Sequence, residues 1–354
     1  MTCSLLSVGV LLNKQEVFPV CFFLFSGMTR ILFCLFVAQL LCAQTPAQRE
    51  LSGYTGGYLS QLQPSAKSLN FLLMGDFGRY GQFYQKEVAT QMGKAAATLD
   101  SKFVITVGDN FYPNGVRSTQ DYSWMASFES VYTDYSLQND WYVTLGNHDY
   151  RGSLKAQIDY SNVSRRWHLP STYYKKMIEL EDGNKLLLLV MDTSPFIDSY
   201  YKKGTDMYDN LIAQDTTAQK KWLIRELETK DDVVKWKIVV GHHPLYSGGK
   251  RKDSPETKSF ESKFATIFDT YKVDAYFCGH EHDLQIIKPK NRYTTQFLSG
   301  SACEVRPSGT REGTLFWAEK AGFMTFSVTK DQLVAQVVDA EGNVIFKTNI
   351  DKKK

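Results

Sequence analysis

Six short apolar segments of this chain each end abruptly in a polar cluster, and this repeated pattern constrains the fold more than any other feature. The segments are almost continuously apolar, as strands are in sheets that are covered on both faces. Stretches with helical spacing of apolar residues lie between them, over 84–99, 216–230 and 258–271. Strands that alternate with helices predict an α/β fold. The apolar segments cover residues 70–74, 102–107, 141–145, 186–191, 237–240 and 273–278.

The end of the chain has a different pattern. Apolar and polar residues alternate from 322 to 350, with Gly342 and Asn343 as turn residues, and this predicts antiparallel strands that close the fold. The 354 residues include 41 basic and 38 acidic side chains, for a formal net charge of +3. This balance argues against a dedicated nucleic-acid binder, which usually carries a strong basic excess.

Residues that can bind metal ions follow five of the predicted strands. Ligands of α/β sheets bind beyond the carboxyl ends of the strands, so these side chains are expected to meet. Burying so many ionisable groups together is costly unless they bind cations. The sequence therefore predicts a metal site built from five clusters: Gly75-Asp76, Gly108-Asp109, Gly146-Asn147-His148-Asp149, Gly241-His242-His243 and Gly279-His280-Glu281-His282.

The five clusters resemble, in order, the five motif blocks of the metallophosphoesterase superfamily. Tyr112, three residues after Asp109, narrows the resemblance to purple acid phosphatases. Segments such as Trp141-Tyr142-Val143 also resemble the small, mammalian-type tartrate-resistant acid phosphatases. The resemblance covers essentially residues 70–350. It implies a four-layer sandwich, in which two central mixed β-sheets are flanked by helices, as a single catalytic domain over residues 70–354.

The resemblance implies two metal ions, a ferric iron and a divalent iron, zinc or manganese ion, with Asp109 as the bridge. The chemical types of the donor atoms agree with this pair of ions. Phenolate and carboxylates suit Fe(III), whereas imidazoles and an amide oxygen suit the divalent ion. In an extended segment His280 and His282 can face the same side. The implied ligands are Asp76, Asp109, Tyr112 and His282 for the iron, and Asp109, Asn147, His242 and His280 for the divalent ion.

Three further residues are candidates for catalysis. The resemblance implies that His148 holds the phosphate or protonates the leaving alcohol, and the alternative is a residue that only donates hydrogen bonds. Asp149 could orient the imidazole of His148. His243 replaces the tyrosine of the usual Gly-His-Tyr-Pro motif. It could reach the phosphate or influence His242, or it could equally point away as a surface residue.

These features predict a secreted acid phosphatase that hydrolyses phosphate monoesters by attack of a metal-bound hydroxide at an Fe(III)–M(II) centre. Small phosphate monoesters or phosphoprotein side chains are the expected substrates, and the enzyme is expected to be monomeric. One alternative is a phosphodiesterase with a manganese or zinc pair, against which Tyr112 argues. Another is a non-catalytic binding protein on the same scaffold, against which the intact ligand set argues.

The first part of the chain has the pattern of an export signal. Residues 28–43 read as a signal peptide, with Arg30 near its start and small residues at its end. Residues 1–27 would then be an upstream extension or a start-site error, and 44–69 a linker or arm. The alternative is a single membrane anchor, which Arg30 makes costly. The mature protein is expected to be secreted or periplasmic, without stable membrane insertion.

A few other residues give weaker signals. Cys278 is expected to be a buried free thiol, with a disulfide to Cys303 as the alternative. The segment 248–252 is expected to be a mobile, solvated rim, with attraction of anionic substrates by its charges as the alternative. His168 is expected to pack without a ligand role, and Asn162 begins a glycosylation sequon that matters only in a eukaryotic host. The loops 195–211 and 246–257 contain no cysteine, so the disulfide of mammalian relatives near the active site is absent.

Overall fold

Two mixed sheets of seven strands each organise the computed structural model, which describes residues 56–352. The predicted extension, the signal peptide and residues 44–55 of the arm lie outside the described residues. The strands are β1 (Leu69–Met74), β2 (Phe103–Thr106), β3 (Asp140–Tyr142), β4 (Trp167–His168), β5 (Tyr174–Glu179), β6 (Lys185–Val190), β7 (Val234–Val240), β8 (Ala275–Cys278), β9 (Leu284–Ile287), β10 (Thr295–Ser299), β11 (Thr314–Ala318), β12 (Gly322–Val328), β13 (Gln332–Asp339) and β14 (Val344–Asp351).

The first sheet has the strand order β14-β13-β12-β1-β2-β3-β4, and the second has the order β11-β9-β10-β8-β7-β6-β5. Strands β1 to β4 are parallel, and β12, β13 and β14 extend this sheet in antiparallel pairs. Strands β6, β7, β8 and β10 are also parallel, with antiparallel strands at both edges. The predicted α/β class and the antiparallel end of the chain are both confirmed.

Helices cover the outer faces of the sheets. Short 3₁₀ turns, including Asp149–Arg151 and Asp198–Tyr200, lie in the connecting loops. The α-helices are α1 (Gln85–Leu99), α2 (Tyr122–Trp124), α3 (Leu154–Asp159), α4 (Tyr208–Ile212), α5 (Thr216–Leu227) and α6 (Pro255–Thr270). Within residues 56–352, no helix is both long and apolar enough to cross a membrane.

The alternation of side chains along the strands explains why the fold has four layers. In β6, Leu186 and Leu188 join the core between the two sheets, whereas Leu187 and Leu189 join a second core beneath α5 and α6. Successive residues of a strand point to opposite faces, so a strand that is apolar throughout needs a cover on each side. The predicted four-layer sandwich in a single domain is therefore confirmed.

Helix α6 begins three residues before the predicted stretch, for a reason that is visible in the sequence. The side chain of Ser254 accepts a hydrogen bond from the backbone N–H of Thr257 at 3.2 Å, and Pro255 occupies the first turn. Serine at the N-cap followed by proline is a strong helix start. As predicted, the side chain of Asp215 caps α5, through the N–H of Ala218 at 2.8 Å.

The described part of the arm contacts the domain. Leu59 and Leu62 are 8 % and 3 % exposed, and the N–H of Leu59 donates to the hydroxyl of Thr98 in α1 at 2.9 Å. The two cysteines behave as expected, because Cys278 and Cys303 are both buried free thiols. His168 lies near the edge of the first sheet with Nε2 3.1 Å from Oδ1 of Asp140.

A cluster of phenylalanines joins the two sheets. Phe71 stacks on Phe103 and Phe326, with ring centroids 4.9 and 5.1 Å apart. Phe326 in turn contacts Phe277 and Phe297 of the second sheet, at 4.6 and 5.2 Å. Because these rings are at most 4 % exposed, their packing holds the sheets at a fixed separation.

Truncation of the central ring should destabilise the fold. We expect Phe71→Ala to lower the free energy of unfolding by about 3–5 kcal/mol, since it removes buried area and leaves a cavity. Chemical denaturation at constant metal content measures this change. The matched control is Tyr135→Ala, at a site 63 % exposed, which should change stability by about 0.5 kcal/mol or less. Equal effects of the two substitutions would contradict this account of the core.

Candidate metal centre and active site

The carboxyl ends of the parallel strands of both sheets bring the seven predicted metal ligands together. Asp76 and Asp109 follow β1 and β2 of the first sheet, and His242 and His280 follow β7 and β8 of the second. All seven side chains are buried, and none is more than 7 % exposed. The site therefore lies where the two sheets meet, and not at the end of one sheet alone.

Tyr112 lies at the centre of the first group of donors. Its hydroxyl oxygen is 3.1 Å from Oδ1 of Asp76, 3.0 Å from Oδ2 of Asp109 and 3.1 Å from Nε2 of His282. These four residues are the set predicted for ferric iron. Two carboxylates, a phenol and an imidazole that converge on one point form the hard donor set that suits this ion.

His242 lies at the centre of the second group. Its Nε2 atom is 3.2 Å from Oδ1 of Asn147, 3.1 Å from Nδ1 of His280 and 3.5 Å from Oδ2 of Asp109. These residues form the set predicted for the divalent ion. Because Oδ2 of Asp109 contacts both groups, this carboxylate lies between them, in the position that a bridging ligand would occupy.

Glycines before the ligands allow the strand ends to approach closely. A Cβ atom on Gly279 would lie 2.3 Å from Oδ2 of Asp76, and one on Gly146 would lie 2.3 Å from Oδ1 of Asp109. The ligands themselves adopt unusual backbone conformations, since Asp76, Asp109 and His280 have φ values of 57°, 50° and 71°. Such left-handed conformations are costly outside glycine and persist where the surrounding structure imposes them.

The electrostatics of the donors favour a bound cation. Burial raises the pKa of Asp76 well above its usual value, and burial together with Asp109 and Asp76 raises the pKa of Tyr112. Burial lowers the pKa of His280 far below its usual value and that of His282 to about 2. A cation compensates the negative oxygens and binds neutral imidazoles, so this donor set fits metal ions well.

Asp109 and His242 differ from the other donors. Burial alone would raise the pKa of Asp109, but the charges of His242 and His148 hold it well below its usual value. Burial alone would lower the pKa of His242, but Asp109 raises it to about 9. The charges of Asp109 and His242 thus stabilise each other, and a histidine binds a metal ion only through an unprotonated nitrogen.

The second nitrogen of each histidine ligand faces an acceptor. Nδ1 of His242 lies 2.8 Å from the carbonyl oxygen of Val107, and Nε2 of His280 lies 3.3 Å from Oε1 of Glu256. Nδ1 of His282 lies 3.5 Å from Oε2 of Glu304. The contact of His242 is a hydrogen bond, whereas those of His280 and His282 are ion-pair distances without hydrogen-bond geometry. Outer partners in such positions orient the imidazole and strengthen it as a ligand. Neither glutamate was predicted, because each lies in a loop or helix that no motif marks.

His148 faces the centre from the side of Asn147. Its Nε2 is 4.0 Å from Oδ2 of Asp109, and its side chain is 20 % exposed. Its Nδ1 is 2.6 Å from the carbonyl oxygen of Pro113, which fixes the orientation of the ring. Burial lowers the pKa of His148, a change that Asp109 opposes and Arg151 reinforces.

Asp149 has a different role from the one predicted. Its carboxylate accepts hydrogen bonds from the N–H of Gly146 at 2.8 Å, the N–H of Asn110 at 3.1 Å and Nε2 of Gln157 at 2.9 Å. No contact joins it to the imidazole of His148, which Pro113 orients instead. Asp149 therefore fixes the loops on which the ligands lie and does not orient the catalytic candidate.

His243 is fully buried, so the expectation that it could equally be a surface residue is wrong. Nδ1 lies 2.9 Å from the hydroxyl of Thr193, and Nε2 lies 2.8 Å from the hydroxyl of Tyr200. The ring centroid is 4.5 Å from that of His280 and 5.0 Å from that of His242. Because both nitrogens are occupied by protein groups, these contacts favour an influence on the neighbouring histidines over contact with phosphate.

Arg251 is the exception in the segment 248–252: Lys250 and Lys252 are exposed, as expected of a solvated rim, whereas Arg251 points inward. Its Nη1 atom is 3.1 Å from the carbonyl oxygen of His280 and 3.3 Å from Oε2 of Glu281. Its Nε atom is 3.3 Å from Oε2 of Glu256, and the other oxygen of this carboxylate, Oε1, accepts a hydrogen bond from the hydroxyl of Tyr200. The guanidinium thus ties this loop to the residues around His280.

Comparisons with known proteins agree with this geometry. The family model of calcineurin-like phosphoesterases matches residues 69–284. Purple acid phosphatase 4 of Arabidopsis thaliana is 35 % identical over 295 residues, which cover 80 % of this chain and 84 % of that protein. Tartrate-resistant acid phosphatase type 5 of Oryctolagus cuniculus is 30 % identical over 321 residues, which cover 85 % of this chain and 96 % of that protein.

Solved structures share the fold. GAP50, described as the anchor in the inner membrane complex of Plasmodium, aligns with a TM-score of 0.69 at 20 % identity and covers 81 % of this chain and 90 % of that one. Purple acid phosphatase PPD1 from yellow lupin aligns with a TM-score of 0.59 at 16 % identity, over 82 % of this chain and 54 % of that one. The motif order, the converging donors and the sequence relatives lead to one conclusion: the chain belongs to the metallophosphoesterases and, among them, to the purple acid phosphatase family.

Proposed function

We propose that this protein is an acid phosphatase that hydrolyses phosphate monoesters at a dinuclear Fe(III)–M(II) centre, in which M is iron, zinc or manganese. The observation that carries this proposal is the position of the Tyr112 hydroxyl, 3.0–3.1 Å from donor atoms of Asp76, Asp109 and His282. A phenol in that position argues against the alternative of a phosphodiesterase with a manganese or zinc pair. The intact donor set argues against a non-catalytic binding protein.

Each group of donors would hold one ion. Asp76, Asp109, Tyr112 and His282 would hold the ferric ion, and Asp109, Asn147, His242 and His280 the divalent ion. When bound, such a pair neutralises the phosphate charge and supplies a nucleophile from water at acid pH. The buried, prearranged donors keep the ions in place without reorganisation of the protein during the reaction.

The residues around the ions would then complete the site. His148 would hold the phosphate or donate a proton to the leaving oxygen, since Pro113 binds its Nδ1 and its Nε2 remains directed toward Asp109. Asp149 would support this arrangement through the loop amides of Gly146 and Asn110. His243 would act as a neutral spacer that positions His280, because burial and the neighbouring histidines lower its pKa far below the usual value.

We also propose that the enzyme acts outside the cytoplasm as a monomer, on small phosphate esters or phosphoprotein side chains. The support for export is the signal-peptide pattern of residues 28–43. Analysis of the amino terminus of the protein secreted by its natural host tests this directly. Cleavage near residue 43 is the expected result, and an intact Met1 would overturn it.

Loss of the phenol should remove the visible colour of the iron-loaded protein. We expect Tyr112→Phe to abolish the phenolate-to-iron charge-transfer band, because no other donor of the first group is a phenol. Visible absorption spectra at matched iron content measure this. The control is Tyr174→Phe, which removes a buried hydroxyl bonded to backbone carbonyls of Val143 and His168. An unchanged visible spectrum of Tyr112→Phe would contradict the assignment of Tyr112 as a ligand of ferric iron.

Loss of the imidazole beside Asn147 should affect turnover more than metal binding. We expect His148→Ala to lower kcat by about 10²–10⁴-fold, the usual contribution of a general acid, with both ions retained. Steady-state kinetics and metal analysis on the same samples test this. His168→Ala, at the sheet edge, should keep near-native kcat. Near-native turnover of His148→Ala would exclude the proposed acid.

Loss of the carboxylate behind His280 should weaken the divalent site. We expect Glu256→Gln to lower the affinity for the divalent ion by about 10–100-fold, because the partner of Nε2 loses its charge. Competition with a chelator measures the affinity without reference to activity. Glu261→Gln, on the same helix, is the matched control and should leave it unchanged. Equal affinities of all three proteins would show that Glu256 does not support the ligand.

A further inference from the structure

A cavity of about 430 Å³ opens beside the proposed divalent site. Asn147 forms the wall nearest the metal donors, and Tyr200, whose hydroxyl contacts His243 and Glu256, forms another. The volume is that of a pocket for a small organic molecule. His148 is not itself among the lining residues, but Asn147 and Arg151 on either side of it are, so the cavity lies next to the turn that carries the proposed leaving-group acid.

Two cationic side chains line this cavity without a counter-charge of their own. The guanidinium of half-buried Arg151 and the ammonium of exposed Lys202 make no hydrogen bond or ion pair with any residue of the part of the chain that is described. Asp206 is the carboxylate among the lining residues, and it is exposed. The side chains that line the cavity thus carry two formal positive charges and one formal negative charge. Cations left unpaired at the edge of a partly buried site gain free energy from an anionic ligand.

The walls that carry these charges are joined to each other. The N–H of Arg151 donates to the carbonyl oxygen of His148 at 3.2 Å, within one turn of the chain. Nδ2 of Asn210, in helix α4, donates to the carbonyl oxygens of Tyr150 and Gly152 at 2.7 and 2.9 Å. The segment that carries Lys202 therefore leads into a helix fixed to the turn that carries His148 and Arg151.

We propose that this cavity binds the leaving-group part of the substrate, and that Arg151 and Lys202 select small phosphate esters whose leaving group carries a second anionic group, a carboxylate or a further phosphate. The inference rests on the proposed phosphatase function, since a phosphate held at the metal donors directs its ester oxygen toward His148. The remainder of the molecule then enters the adjoining space, where the second anion meets the unpaired cations. The negative charge of Asp206 would repel the second anionic group and so weaken this selection.

A matched pair of substrates tests the proposal. Glycerol 3-phosphate and 3-phosphoglycerate have nearly equal size, and the second carries a carboxylate in place of an alcohol. The quantity to measure, on metal-loaded enzyme at low ionic strength, is kcat/KM for 3-phosphoglycerate divided by that for glycerol 3-phosphate. Taking this ratio cancels effects of a substitution on the metal ions or on His148.

The variants should change the ratio according to their charge. We expect Arg151→Gln to lower it about fivefold and Lys202→Gln about twofold, in the range of partly exposed ion pairs. Asp206→Asn should raise this ratio about twofold. Arg151→Lys keeps the positive charge, so its ratio should stay close to that of the wild type. Lys203→Gln removes an equal charge from the neighbouring exposed residue and should leave the ratio unchanged. Added salt should lower the ratio of the wild type.

The outcomes separate this inference from the function on which it rests. Hydrolysis of both substrates with equal ratios in wild type, Arg151→Gln and Lys202→Gln would overturn the selection and leave the phosphatase function intact. Absence of hydrolysis of either substrate by the metal-loaded wild type would overturn the proposed function, and this inference with it. Asp206→Asn, at an exposed position, provides a test that does not depend on the folding of the Arg151 variants.

Discussion

Burial of two carboxylates and a phenol at one point between two sheets is the constraint on which the rest of this structure depends. Asp76, Asp109 and Tyr112 are at most 2 % exposed. An uncompensated charge in such a place costs several kcal/mol, so the surrounding chain must supply positive charge or hold ions that do. The histidines that follow β7 and β8, the close glycines and the left-handed backbone of three ligands all serve this one requirement.

Much of the site could be predicted because its donors lie next to strand ends in the sequence. The apolar segments located the strands, and the first polar residues after each strand necessarily lie at the carboxyl edge of a sheet. That reasoning was sufficient for Asp76, Asp109 and His242. It also gave the layered fold, since strands that are apolar on both faces require a cover on both sides.

The remaining parts depend on tertiary contacts that no local pattern reports. Glu256 reaches His280 because Ser254 and Pro255 begin helix α6 earlier than its apolar stripe suggests. The role of Asp149 was misjudged because sequence adjacency to His148 says nothing of the direction of a side chain in a 3₁₀ turn. The usual motif has a tyrosine at the position of His243, so it gave no information on whether the histidine is buried. The residues that contact the imidazole, Thr193 and Tyr200, come from distant segments of the chain.

The division of the donors between the sheets also has a mechanical consequence. Asp76, Asp109 and Asn147 follow strands of the first sheet, whereas His242 and His280 follow strands of the second. Ions held by both groups would act as a cross-link at the edge of the sandwich, in addition to the phenylalanine cluster that joins the sheets. Opening of the sandwich would then release the ions, so the lifetime of the folded enzyme would follow the retention of its ions.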